Sequence, residues 1–270
     1  MLILAVETST PTGSVSLVEA FPEEGVPGAF RVVAETSQNL SETHSSRLMP
    51  SIDRLLREAS TPVQAVQGIA VGLGPGSFTG LRIAVSTVKG LAFSLKVPVV
   101  GIPTLDALAH NLPFASPLVC PVLDARKKEV YAALFRGDGE GRLRRISEHW
   151  VLSPEDLCSR IPERVILLGT GVEPYAEIFR QKLGPRASFA PPDLSFPRAS
   201  TVARLSLSVF QSGQTVDLMT FAPLYVRRSE AEIHRERKEA EGRPVLSGGG
   251  SVEEPGRGGA KVADAGRRGG

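Results

Sequence analysis

The apolar positions of this chain switch between an alternating period and a helical one, and the switches mark its elements. Residues 2–6, LILAV, are continuously apolar, as in a strand buried on both faces. ETSTPTG at 7–13 is dense in turn formers, and SVSLVE then resumes with alternation, so the opening predicts a hairpin. FRVVAET, 30–36, predicts a third strand after the loop-like FPEEGVPGAF. A helix is expected over about 42–59, with Ser41 as N-cap and Glu42 at the positive end of the helix dipole. Leu48, Ile52, Leu55, Leu56 and Ala59 share one face of it. Pro50 removes one helical hydrogen bond and is expected to kink or divide this helix.

GIAVGL, 68–73, predicts another buried strand, and GPGSFTG, 74–80, is a Gly-rich loop. A second helix is expected from about 79 to 95, capped by Ser77 or Thr79. Its core stripe is Leu81, Ala84, Val85, Val88, Ala92 and Leu95. Ile83, Thr87, Gly90 and Ser94 lie on its other side. VPVVGIP, 97–103, closes the unit as a strand. The pattern then restarts. PLVCPVLDARKKEVYAALF, 117–135, is again strand, polar turn, strand. RVILLGTGV, 164–172, is a strand entering a Gly turn, and helices are expected at about 174–183 and 199–212. Two similar α/β domains follow from this echo, at 1–103 and 104–228, the last helix being free to pack back on the first domain. Residues 229–270 are charged, Gly-rich and poor in large apolar side chains, which predicts a largely disordered tail, above all over 245–270.

Composition narrows the function classes. The net charge is +2 and no dense basic stripe stands out, which gives little support for autonomous RNA binding. Cys120 and Cys158 lie in no CxxC or CxxH arrangement, as expected of a reducing cytoplasm. No basic residue precedes the first apolar run, which reads as a strand and not a signal peptide. No apolar run reaches the ~18 residues of a membrane span.

Chemistry is sparsely signalled. Glu7, Thr8 and Ser9 stand where an actin-like ATPase hairpin presents a carboxylate and hydroxyls to metal-bound phosphate. A hydroxyl-rich hairpin with Glu7 bonded to local amides is the favoured alternative, because nothing completes a nucleotide site. GLGPGSFTGLR, 72–82, has neither a Walker lysine nor GxGxxG spacing, and reads first as a strand-to-helix connection. Asp124 either faces a cleft between domains or bonds its own turn and Arg126. His44, His110, His149 and His234 form no HxxH or HxxxH pair, so zinc or iron has too few ligands. No GxSxG elbow or Cys–His pattern offers a nucleophile. The small-residue side of the second helix lies opposite its core stripe, which points to an interaction surface, with Leu48 and Ile52 of the first helix beside it.

MLILAVETSTPTGSVSL, ETHSSRLMPSIDRLL, the long block 68–108, PVLDARKKEVYAALF and PLYVRRSEAE together resemble the TsaB (YeaZ) family, over about residues 1–232. The resemblance implies two tandem actin-like (RNase H-like) domains with mixed sheets flanked by helices. It also implies a cytoplasmic, non-catalytic subunit that pairs with TsaD, the enzyme transferring threonylcarbamoyl to N6 of adenosine 37 in tRNA. TsaE, an ATPase, joins them, and tRNA is met through the complex. ATP and metal are then expected in the partner subunits, with no cofactor required by this chain. TsaD carries a histidine pair on its first-domain helix, where this chain offers His44 and, one turn on, Leu48. The implied interface is formed by the first two helices, through His44, Arg47, Leu48, Ser51, Ile52, Leu55, Arg82, Ile83, Ser86, Thr87, Gly90 and Ser94. The same surface permits a homodimer of the isolated chain. Two other readings are an actin-like ATPase or kinase and, on weaker grounds, an M22-type metallopeptidase.

Overall fold

A computed structural model describes residues 1–21, 29–39 and 44–226. The expected cap at Ser41, Glu42 and the tail 229–270 lie outside the described residues.

The first half follows the apolar pattern closely. β1 (Leu2–Glu7), β2 (Thr12–Ala20) and β3 (Phe30–Asn39) form an antiparallel meander, followed by α1 (His44–Glu58). β4 (Gly68–Gly72), α2 (Phe78–Leu95), β5 (Val99–Ile102) and α3 (Thr104–Ala109) come next. The strands form one mixed sheet in the order β3-β2-β1-β4-β5, with β4 and β5 parallel to β1.

The unbroken apolarity of LILAV has a direct cause. Leu4 and Val6 face one layer, packing with Leu48, Ile52 and Leu55 of α1 and Ala84, Val85 and Val88 of α2. Ile3 and Ala5 face the other, packing with Ala199, Val202, Ala203 and Leu207. A central strand covered on both faces needs apolar residues at every position, each buried large side chain contributing roughly 1.5–3 kcal/mol.

The second half repeats the plan with shorter strands. β6 (Leu118–Asp124), β7 (Val130–Ala132), β8 (Phe135–Gly137), β9 (Leu143–Arg145) and β10 (Trp150–Leu152) precede α4 (Pro154–Arg160). β11 (Val165–Leu168), α5 (Ala176–Leu183), β12 (Ala187–Phe189) and α6 (Ala199–Ser212) complete it. The main path of the second sheet is β10-β7-β6-β11-β12, with β8 and β9 attached through β6. α6 returns to the first sheet. Its N-terminal amides are capped from that sheet, Ala199 N donating to Ser14 Oγ at 3.1 Å and Ser200 N to the Glu35 carboxylate at 2.8 Å. These bonds satisfy donors that a helix start otherwise leaves orphaned.

Of the two outcomes expected of Pro50, division does not occur: α1 runs from His44 to Glu58 with the proline inside it. The ring removes one hydrogen bond, while Leu48 before it and Ile52 and Leu55 after it are held in one core, so packing carries the helix across the gap. The short elements α3, α4, β8, β9, β10 and β12 are additions to the sequence reading.

Candidate docking interface

The β1–β2 turn begins in the interior and reaches the surface at Pro11. Glu7, Thr8 and Ser9 are buried. Glu7 Oε1 accepts from Ser9 N at 2.6 Å, and Thr104 Oγ1 lies 3.4 Å from Oε2. Thr104 Oγ1 accepts in turn from Gly74 N at 3.1 Å. Thr8 Oγ1 donates to Gly80 O at 2.8 Å, and Ser77 N donates to Ser9 O at 2.7 Å. Ser77 N and Gly80 O of the Gly-rich loop are thus engaged by the chain's own hairpin. Burial raises the Glu7 carboxyl above the ordinary glutamate range, against the lowering effect of these hydrogen bonds. The Glu7 carboxylate bonds the turn's own amide, while Ser9 Oγ is buried with no hydrogen-bond partner among the described residues.

Asp124 is likewise occupied locally. Its carboxylate accepts from Arg126 N at 2.8 Å and lies 3.3 Å from the Arg126 guanidinium. Arg126, Lys127 and Lys128 all have positive φ, so the β6–β7 hairpin turns through three left-handed residues. His110 Nδ1 lies 2.8 Å from the Asp106 carbonyl and His149 Nε2 lies 3.2 Å from the Asp106 carboxylate. The side chain of His44 and all of His234 lie outside the described residues. Among the described residues no three His, Cys, Asp or Glu side chains group to hold a metal ion.

The two helices expected to dock a partner divide differently from the sequence reading. Leu48, Ile52 and Leu55 are 5%, 2% and 2% exposed and belong to the chain's own core. They are withdrawn from the exposed surface, because the apolar stripe of α1 is what holds that helix to the sheet. Arg47 and Ser51 are half-buried and line a crevice with Thr8, Ser14, Thr36 and Gln38.

α2 does present a second face. Ser77 caps it, accepting from Gly80 N at 3.2 Å. Gly80, Leu81, Ala84, Val85, Val88 and Ala92 are buried. On the opposite side Arg82, Ser86, Gly90 and Ser94 are exposed at four-residue spacing, with Ile83 and Thr87 half-buried beside them. A Cβ at Gly90 would meet nothing within 4 Å, so this glycine opens the helix surface. Phe93, 80% exposed, and Phe78, 41% exposed, stand at the two ends of the row. Sequence reasoning missed both. Phe93 lies one position after the buried Ala92 and three after Gly90, so the core periodicity alone places it outward.

The sheet order and the return of α6 define an α/β protein with two mixed sheets flanked by helices. The family model described as TsaD, tRNA N6-adenosine threonylcarbamoyltransferase, matches residues 32–235. The tRNA threonylcarbamoyladenosine biosynthesis protein TsaB of Bacillus subtilis (strain 168) is 30% identical over 235 residues, covering 86% of this chain and 96% of the relative. TsaB of Escherichia coli (strain K12) is 28% identical over 236 residues, with the same coverage of 86% and 96%. Among solved structures, YeaZ from Pseudomonas aeruginosa is 31% identical, has a TM-score of 0.68, and is matched over 83% of this chain and 99% of its own. The chain belongs to the TsaB (YeaZ) family.

No helix among the described residues is long and apolar enough to cross a membrane.

Proposed function

We propose that this chain is the non-catalytic subunit that supports TsaD in forming N6-threonylcarbamoyladenosine at position 37 of tRNA. Its relation to TsaB over 96% of the Bacillus protein is the observation that carries this reading. TsaD is the direct partner, TsaE joins the assembly, and tRNA is met through the complex, in the cytoplasm. The outward row of α2 at Arg82, Ser86, Gly90 and Ser94, with Ile83 and Thr87, is the docking face.

Small residues let a partner helix approach closely, while the flanking aromatics supply contact area. The opposite face of α2 is spent on the chain's own core, so docking need not disturb the fold. The isolated chain pairs with itself through the same row when TsaD is absent.

Sedimentation of the full chain mixed with the TsaD of its own organism tests the association. A heterodimer forming at the expense of self-associated chain is expected. Two species sedimenting independently at high micromolar concentration would refute it.

A further inference from the structure

Arg82 is held in a fixed pose by two aromatic rings. Its guanidinium carbon lies 4.1 Å from the centroid of the Phe78 ring, and its Nε donates to the Tyr225 hydroxyl at 3.2 Å. The Phe78 and Tyr225 rings themselves pack 5.3 Å apart at 34°. Tyr225 reaches this position on a strap that follows α6. Val216 N donates to Val99 O at 3.0 Å, Lys89 Nζ donates to Phe221 O at 3.0 Å, and Leu224 N donates to Leu73 O at 2.9 Å. The buried Phe221 ring pins the middle of the strap into the first core.

Among the described residues the rest of the guanidinium has no such engagement. Arginines 31, 54, 57, 126, 136, 142, 145, 180 and 198 each pair with a carboxylate. Arg82, like the exposed Arg144, Arg160 and Arg164, pairs with none among the described residues, and of these it alone lies in the outward row of α2. A guanidinium has five N–H donors in a rigid fork, and among the described residues only the Nε donor is used. Stacking on Phe78 and the bond to Tyr225 have already fixed the side chain, so binding need not order it again.

We infer that Arg82, set by Phe78 and Tyr225, is the polar anchor of the docking face and receives a carboxylate side chain of the partner protein. The inference rests on the α2 docking reading and adds the C-terminal strap to it. Protein carboxylate is favoured over an RNA phosphate by local charge. The nearest cation on the helix, Lys89, is turned to the Phe221 carbonyl, whereas phosphate-backbone binding draws on several convergent cations.

The test is calorimetry of the full chain with the TsaD of its own organism at several salt concentrations. Arg82→Ala, Arg82→Lys, Tyr225→Phe and Gly90→Leu are compared, each first checked for a melting temperature no lower than that of wild type. Arg82→Ala should weaken binding about tenfold or more and flatten its salt dependence. Arg82→Lys should recover only part of the affinity, because an ammonium cannot pair as a fork. Tyr225→Phe should fall between wild type and Arg82→Ala. If Gly90→Leu weakens binding while Arg82→Ala leaves affinity and salt slope unchanged, the anchor is refuted and the docking face stands. Full affinity in Gly90→Leu would remove the docking face itself. Unchanged TsaD affinity in Arg82→Ala with weaker retention of tRNA by the complex would overturn the carboxylate assignment in favour of phosphate.

Discussion

Gly72 stands so close to Glu7 that a Cβ on the glycine would lie 1.9 Å from Glu7 Oε2. The end of β4 thus closes directly over the carboxylate at the end of β1, and the only room there is the room glycine leaves. Gly72→Ala is expected to lower stability at the upper end of the ~1–3 kcal/mol typical of overpacking. Urea unfolding of the isolated chain measures it.

The same enclosure sets a pH dependence. Burial raises the Glu7 carboxyl, so the folded chain holds its proton at pH values where the unfolded chain has released it. In that window the folded state binds more protons, and stability falls as pH rises from the ordinary glutamate value through the raised one. Glu7→Gln keeps an oxygen to accept from Ser9 N and removes the titration. Its unfolding midpoint should decline less than that of wild type across this window. Parallel pH profiles for the two proteins would contradict the burial argument.

Leu48 and Ile52 should behave as core residues. Ile52→Ala is expected to cost ~2–5 kcal/mol in the isolated chain, through lost burial and the cavity left behind. Thermal or urea melts without any partner present read this directly. A loss of partner affinity at undiminished intrinsic stability would restore Ile52 to the interface.

This division between core and interface marks where the sequence stops being legible. Periodicity identified the apolar stripe of α1, yet a stripe looks the same whether it meets the chain's own sheet or another molecule. On α2 the ambiguity is smaller, because one face already carries Leu81, Ala84, Val85, Val88 and Ala92 and the small residues are left over. The strand LILAV was legible as doubly buried because no polar residue interrupts it. α4 was also signalled, although unread: Ser153 accepts from Asp156 N at 3.1 Å, and Pro154 follows as a preset first turn. The three-residue strands β8, β9, β10 and β12 are too short to establish a period; β8, β10 and β12 exist through pairing with β6, β7 and β11, and β9 through its hairpin with β8. Tyr225 meets Arg82 across more than half the chain, a contact no local pattern encodes.

Gly90→Leu separates folding from docking. With no atom within 4 Å of a Cβ there, the larger side chain meets open space in the isolated chain. Stability should hold or rise by up to ~1 kcal/mol, since glycine is a poor helix former. Affinity for TsaD should fall by ~1–3 kcal/mol as the added bulk blocks close approach. Melting curves and calorimetry on one preparation provide both numbers.

The most direct measurement of the central claim is the yield of threonylcarbamoyladenosine in tRNA. The reaction contains TsaD and TsaE of the same organism, the threonylcarbamoyl-adenylate donor and ATP, with and without this chain. Modification is expected only when the chain is present, at a level lowered by Gly90→Leu, and none from the chain alone. Equal yield in its absence, or modification by the chain without TsaD, would contradict its role as a supporting subunit.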